Sequence, residues 1–299
     1  MECPIFAPSL RPGDTIGIIS PCGKLDEGCF DTAYDTLRAK GYKIKESRFL
    51  YSGTNGYAGS EEERAADLNA MVLDDEVKMI LFCGGYISNE ILPMIDYEAV
   101  KAHPKLYSSY SDGTSILNAV WAKTGLVTYY GQDPGVFREL EPYNDQYFEG
   151  WFVHPPMKDF VPRSPWQTFS GGIGEGIIVG GYTLNFAMMM GGDFFPFDET
   201  QDYLLIMEDH EAFNTPAEVS ALLSHVGQSK LMKHVRGLIF GDYSNNHFEE
   251  LDGVLSRFGK RYSIPVVYCH DFGHGSSHAV LPIGVRARLD ADAQTLRFL

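Results

Sequence analysis

The chain has no stretch near the roughly 18 consecutive apolar residues of a membrane-spanning helix, which excludes a helical membrane protein. Positive charge is scarce: 24 Lys and Arg face 40 Asp and Glu, a net charge of −16. So acidic a surface repels phosphate backbones and anionic lipid, so neither a nucleic acid polymer nor a membrane is the expected partner. The five cysteines, Cys3, Cys22, Cys29, Cys83 and Cys269, are irregularly spaced and include no C-x-x-C pair. They read as reduced structural thiols rather than a disulfide framework. The opening residues MECPIFAPSLRPGDT lack a basic region, a long apolar region and a small-residue cleavage site. A cytoplasmic chain is the expectation. Nucleotide loops are missing too. Gly23-Lys24 is followed by Leu25, Gly259-Lys260 by Arg261, and the run GGIGEGIIVGG at 171–181 does not fit G-x-G-x-x-G. No cofactor is expected, and no internal repeat or low-complexity tract occurs.

What is present is an ordinary globular composition. The 299 residues are 44% hydrophobic and 21% charged, enough to bury a core as one large or two modest domains. Strand and helix signals alternate through the first half. Residues 15–20 (TIGIIS), 42–46, 78–83 (KMILFC) and 106–110 are short strand-like runs. Between them lie helical spacings at Phe30, Ala33, Tyr34 and Leu37, a Ser60/Glu63 capping box opening a helix to about 73, and short helices at 89–95 and 114–123. The alternation predicts an α/β fold with a doubly wound, mainly parallel sheet. Around 139–170 the pattern fails in a stretch rich in Pro, Trp and Phe. Beyond it come a glycine-rich strand region, strands at 203–207 (YLLIM), 237–240 (GLIF) and 265–269 (PVVYC), helices at 217–226 and 248–258, and a closing hairpin at 286–298. The expected division is an N-terminal domain at 1–145, a crossover at 146–170 and a C-terminal domain at 171–299.

Four features carry possible chemistry. Ser111 in YSDGT stands between a strand and a helix, where a hydroxyl projects from the carboxyl edge of a sheet; the alternative is a simple helix cap. Gly84-Gly85 ends another strand and offers backbone N–H groups to an oxyanion, or is merely a tight turn. Glu208-Asp209 follows YLLIM directly, where an acid can orient a histidine or simply face solvent. His270, His274 and His278 recur every four residues, but Gly273, Gly275 and Pro282 break any helix that would align them as metal ligands. One of the three as a general base is the better expectation.

These pieces stand in one order. LRPGDTIGIISP (10–21), YAGSEEERAADLNAM (57–71), GGYISNEILPMIDYE (84–98), PKLYSSYSDGTSILNAVWAKTGLVTYYG (104–131), IVGGYTLN (178–185), LLIMED (204–209), RGLIFGDY (236–243), DFGHG (271–275) and LPIG (281–284) run nearly end to end. In that order they resemble the LD-carboxypeptidase family of serine peptidases, and more closely its branch of microcin C immunity peptidases. The resemblance implies a smaller β-rich α/β C-terminal domain, a homodimer, no metal, and a catalytic triad of Ser111, Glu208 and His274. It implies an oxyanion hole from the backbone N–H groups of Asp112 and Gly85, with Gly84, Tyr86 and Trp166 as substrate-binding residues. The expected reaction is cleavage of an amide bond through an acyl-enzyme. The substrate is a small molecule or short peptide, either a peptidyl or aminoacyl nucleotide conjugate or a murein-type peptide. The rival expectation is a non-catalytic binding protein that keeps the fold. Several positions depart from the family pattern. Cys83 stands where murein-trimming relatives carry Arg, Ser109 where Gly is common, Gly113 where an apolar residue is common, and Gln132 where Pro is usual. Cys83, with Trp166 as an aromatic for stacking on adenine, leads to an expected preference for the nucleotide conjugate; the alternative for Trp166 is that it simply packs the domain junction.

Overall fold

The computed structural model describes residues 4–85 and 87–299, so Cys3 and Tyr86 lie outside the described residues. The first half forms β1 (Thr15–Ile19), β2 (Lys43–Glu46), β3 (Val77–Phe82), β4 (Leu106–Ser109) and β5 (Thr128–Tyr130). The second half forms β6 (Gln167–Ser170), β7 (Ile173–Tyr182), β8 (Tyr203–Glu208), β9 (Val235–Asp242), β10 (Val266–Gly273), β11 (Leu281–Ile283), β12 (Arg286–Asp290) and β13 (Thr295–Phe298). Two sheets result, with orders β11-β5-β4-β3-β1-β2 and β13-β12-β7-β8-β9-β10-β6.

In the first sheet β1 to β5 pair in parallel. Their connections run through the helices Asp31–Ala39, Glu61–Leu73, Tyr97–Ala102 and Thr114–Thr124. β1 and β4 are buried along their whole length, as expected of strands covered on both faces. The helix at Glu61–Leu73 starts on the capping box expected from sequence: the Glu63 N–H donates to Ser60 Oγ and the Ser60 N–H to Glu63 Oε2. In the second sheet β7, β8, β9 and β10 are parallel, while β12 and β6 add antiparallel strands at its two sides. The chain is therefore mixed α/β, with a parallel-rich first sheet and a second sheet of mixed direction. β11 leaves the second half of the chain and pairs antiparallel with β5, tying the last quarter of the sequence to the first sheet.

The stretch at 139–170 is more regular than its composition suggests. It holds the helix Pro142–Phe148, a π-turn at Glu149–Val153 and then β6. Tyr147, Phe148, Trp151 and Phe152 are fully buried there, and Phe152 meets Tyr129 of β5 edge-on at 5.0 Å. Aromatic burial thus overrides the weak helical pattern. The glycine-rich run, expected as a strand region, forms β7, ten residues long. Its glycines permit close approach. A Cβ on Gly181, whose φ is +133°, would lie 2.4 Å from Thr114 Oγ1. The contact is used: the Tyr182 N–H donates to Thr114 Oγ1, and Asn118 both donates to the Gly180 carbonyl and accepts from its N–H. These bonds fasten the helix after β4 to the second sheet. Among the described residues no helix is long and apolar enough to cross a membrane.

Candidate active site

Three side chains from three separate strand ends converge. Ser111 follows β4, Glu208 is the last residue of β8, and His274 is the first residue after β10. β8 and β10 run parallel in the second sheet, so their carboxyl ends share one edge, while β4 belongs to the first sheet and its end is held against that edge by the bonds that join Thr114 and Asn118 to β7. Ser111 Oγ donates to His274 Nε2 at 3.1 Å, and His274 Nδ1 donates to Glu208 Oε2 at 2.7 Å. Glu208 is completely buried. Its other oxygen accepts a hydrogen bond from the Tyr130 hydroxyl, which in turn accepts the Ser111 N–H at 2.9 Å. Tyr130 therefore joins the serine backbone to the carboxylate. Sequence reasoning missed this role because β5 is only three residues long and gave no strand signal of its own.

Ser111 sits at φ +54°, a left-handed backbone that costs a non-glycine residue on the order of 1–3 kcal/mol. The sharp turn lifts its side chain out of the strand direction. The Thr114 hydroxyl donates to the Ser111 carbonyl at 2.7 Å and helps to hold it. The next backbone donor, the Asp112 N–H, precedes the first bond of the short helix, which runs from the Gly113 N–H to the Tyr110 carbonyl. A Cβ on Gly84 would stand 3.4 Å from that nitrogen and 3.5 Å from Ser111 Oγ, so glycine keeps the space beside both open. The Gly85 amide departs from the expectation of an open oxyanion donor. It donates to Asp112 Oδ2 at 2.9 Å, because the turn folds it over the Asp112 carboxylate.

Two departures from the family pattern compensate each other in space. A Cβ on Gly113 would lie 2.2 Å from Ser109 Oγ, which donates to the Phe82 carbonyl at 2.6 Å. The serine hydroxyl occupies the volume that a larger residue at 113 would need. Gly113→Ala alone should therefore destabilise the fold by about 1–3 kcal/mol through overpacking. Ser109→Gly combined with it should recover part of that loss. Urea unfolding of the two single variants and the double variant measures the coupling; additive effects would contradict the compensation.

Charge is concentrated beneath the histidine. Burial pulls the His274 imidazole down, but the Glu208 charge and hydrogen bond outweigh it, with Asp209 and Asp112 adding to the effect, so His274 is held above the ordinary histidine value. Asp209 is also fully buried, and burial pushes its carboxyl up to about 7 despite donors from Asn214 and the His210 N–H. The other two histidines part company with His274. His278 bonds the Gly131 carbonyl through Nδ1 at 3.1 Å, and burial drives it down to about 4. His270 pairs with Asp242 at 2.6 Å beside a different cleft. Among the described residues no group of three His, Cys, Asp or Glu is arranged to hold a metal ion.

A cleft of about 660 Å³ opens over Ser111 and His274. Gly84, Gly85 and Asp112 line it, as do Tyr182, Phe213 and Asn214. Trp166, expected among the substrate-binding residues, is not brought there. It is buried, packs edge-on against Phe160 at 5.5 Å, and its carbonyl accepts from Gln294. It fills core beside β6. Phe213, 63% exposed and with its ring 5.6 Å from that of His274, is the most open aromatic among the described residues of the cleft. Tyr86 lies outside the described residues.

Comparison with known proteins agrees with this architecture. The LD-carboxypeptidase N-terminal domain matches residues 16–131 and the LD-carboxypeptidase C-terminal domain residues 175–289. A putative carboxypeptidase of Bacillus subtilis (YocD) is 28% identical over 98% of this chain and 98% of its own. A probable murein peptide carboxypeptidase of the same organism is 29% identical over 96% of this chain and 92% of its own. Among solved structures, an MccF-like protein from Bacillus anthracis superposes with a TM-score of 0.89 at 24% identity, covering 99% of both chains. The microcin C7 self-immunity protein MccF, in complex with aspartyl sulfamoyl adenosine, superposes with a TM-score of 0.85 at 25% identity, covering 99% of this chain and 98% of its own.

Proposed function

From the premise that this chain belongs to the LD-carboxypeptidase family of peptidases, we propose that it is a serine hydrolase that cleaves an amide bond through an acyl-enzyme. The observation that carries the reading is the Ser111–His274–Glu208 chain of hydrogen bonds at the floor of the cleft. Ser111 Oγ attacks the substrate carbonyl carbon as its proton passes to His274 Nε2. The Asp112 N–H faces the oxygen that gains charge, and the Gly85 N–H joins it once the Asp112 carboxylate yields that amide. The C–N bond then breaks, and His274 returns the proton to the departing amine. Water, deprotonated by the same imidazole, releases the acyl group and restores the serine. Glu208 holds the histidine in the tautomer with its proton on Nδ1 and stabilises the imidazolium.

The substrate is a short peptide or an aminoacyl conjugate. The expected preference for a nucleotide conjugate loses its aromatic support, because Trp166 is buried away from the cleft. A fluorophosphonate probe followed by peptide mapping tests the mechanism. A covalent adduct on the Ser111 peptide, together with cleavage of a murein tetrapeptide or an aminoacyl sulfamoyl adenosine, is the expected result. An unlabelled protein that binds but cleaves neither would instead establish the non-catalytic alternative.

The raised His274 pKa has a sign that can be checked. Catalysis needs the neutral imidazole, so kcat/KM should be level at alkaline pH. It should fall tenfold per unit below a pKa above about 6.5, the ordinary histidine value. A pH–rate profile with its acid limb at or below that value would contradict the electrostatic role given to Glu208.

A further inference from the structure

We propose that Arg138 is a specificity-determining residue that recognises a carboxylate of the substrate at the Cys83 side of the cleft. This rests on the cleft over Ser111 being the active site. The sequence suggested that Cys83 leaves this side without a cation. The structure supplies one from a neighbouring element. The short helix Pro134–Glu139 follows β5, the strand beside β4, and delivers Arg138 to the cleft lining together with Cys83 and Gly84. Arg138 is the one lysine or arginine among the described lining residues.

Its guanidinium is positioned in advance. Arg138 Nε donates to the Cys29 carbonyl at 3.0 Å, and the group lies 4.9 Å from the centre of the Phe30 ring. A side chain held on one nitrogen and one face loses less freedom when its remaining N–H groups bind a ligand. Arg138 forms no ion pair within 4.0 Å with any described residue, although its charge acts on the buried Asp133 and on the Cys29 thiol. The setting makes that charge matter. Asp112 and Asp133 also line the cleft, and the whole chain carries −16. An anionic substrate would be repelled without a local cation, and a planar guanidinium suits the two oxygens of a carboxylate.

Two substrate carboxylates have this chemistry: the terminal carboxylate of a peptide and the side-chain carboxylate of an aspartyl conjugate. Binding is measured by calorimetry in the Ser111→Ala protein, so that turnover does not interfere. One pair of ligands is a murein tetrapeptide and its C-terminal amide. The other is aspartyl sulfamoyl adenosine and its asparaginyl counterpart. At least one acid should bind about 10-fold or more tightly than its amide. Arg138→Gln should erase that preference and Arg138→Lys should restore part of it. Loss in the first pair only assigns the peptide terminus, and loss in the second only assigns the aspartyl side chain. A preference that survives Arg138→Gln, an absence of preference in both pairs, or no measurable binding of either acid would overturn the proposal. Cleavage by the protein with Ser111 intact is scored separately. Carboxylate discrimination without cleavage would uphold Arg138 and reject the hydrolase. Cleavage that ignores Arg138→Gln would do the reverse.

Discussion

Ser111→Ala should lower kcat by on the order of 10⁴–10⁶ while leaving the fold intact. The hydroxyl makes one hydrogen bond, to His274 Nε2, so its removal takes away the nucleophile and little packing. The features that hold the turn belong to the backbone and remain: the Ser111 N–H still donates to Tyr130, and the Ser111 carbonyl still accepts from Thr114. The left-handed φ of +54° also remains, because alanine keeps a Cβ. Ser111→Gly provides a second, independent readout. It should be equally inactive but more stable than Ser111→Ala by on the order of 1 kcal/mol, since glycine relieves the strain. Product formation followed by mass spectrometry and unfolding followed by circular dichroism give the two answers. Retention of more than a tenth of the turnover by Ser111→Ala would remove the serine from the mechanism. Equal stability of the two variants would show that the turn stores no strain.

The parts of this site that the sequence made legible are those that follow a long, wholly apolar strand. β8 is buried at every position, so YLLIM announced it and placed Glu208 at its end. β4 and the helix after it flank Ser111 with clear signals on both sides. β10 was seen only as far as residue 269. It continues to Gly273 after a shift of register against β9, and such irregularity has no signature in a hydrophobic pattern. Groups that act across the fold were hidden for a related reason. Tyr130 and Arg138 reach the site from β5 and the short helix after it, and neither position follows from local periodicity. The pairing of Ser109 with Gly113 shows the same limit at close range. Each residue looked like a separate departure, although the two share one volume. Trp166 illustrates the opposite case. An aromatic in a segment without a regular pattern reads as a stacking group or as packing alike, and the structure puts the ring in the packed core.

Glu208→Gln should be the most informative substitution at the buried acid, because it keeps the shape and changes only charge and hydrogen bonding. Glu208 accepts two hydrogen bonds, one from Tyr130 and one from His274 Nδ1. The amide of glutamine can still accept from Tyr130 through its oxygen, which leaves its NH₂ facing His274. An NH₂ group donates, so it selects the imidazole tautomer with Nδ1 as acceptor and the proton on Nε2. That tautomer cannot take the proton of Ser111. A loss of about 10⁴ in kcat is expected from this reversal alone. The fold should survive, because a neutral amide is easier to bury than a carboxylate that stands beside the buried Asp209. The residual activity should also move along the pH axis. Glu208 is the main group holding His274 above the ordinary histidine value against the opposing pull of burial. Without its charge, the acid limb of kcat/KM should shift to lower pH than in the unsubstituted enzyme. The measurement is a pair of pH–rate profiles, with thermal unfolding of both proteins to confirm the fold. A loss smaller than about 100-fold would mean that Glu208 does not set the tautomer. An acid limb left in place would mean that the limb reports another group, and Asp209, pushed up to about 7, would be the next to substitute.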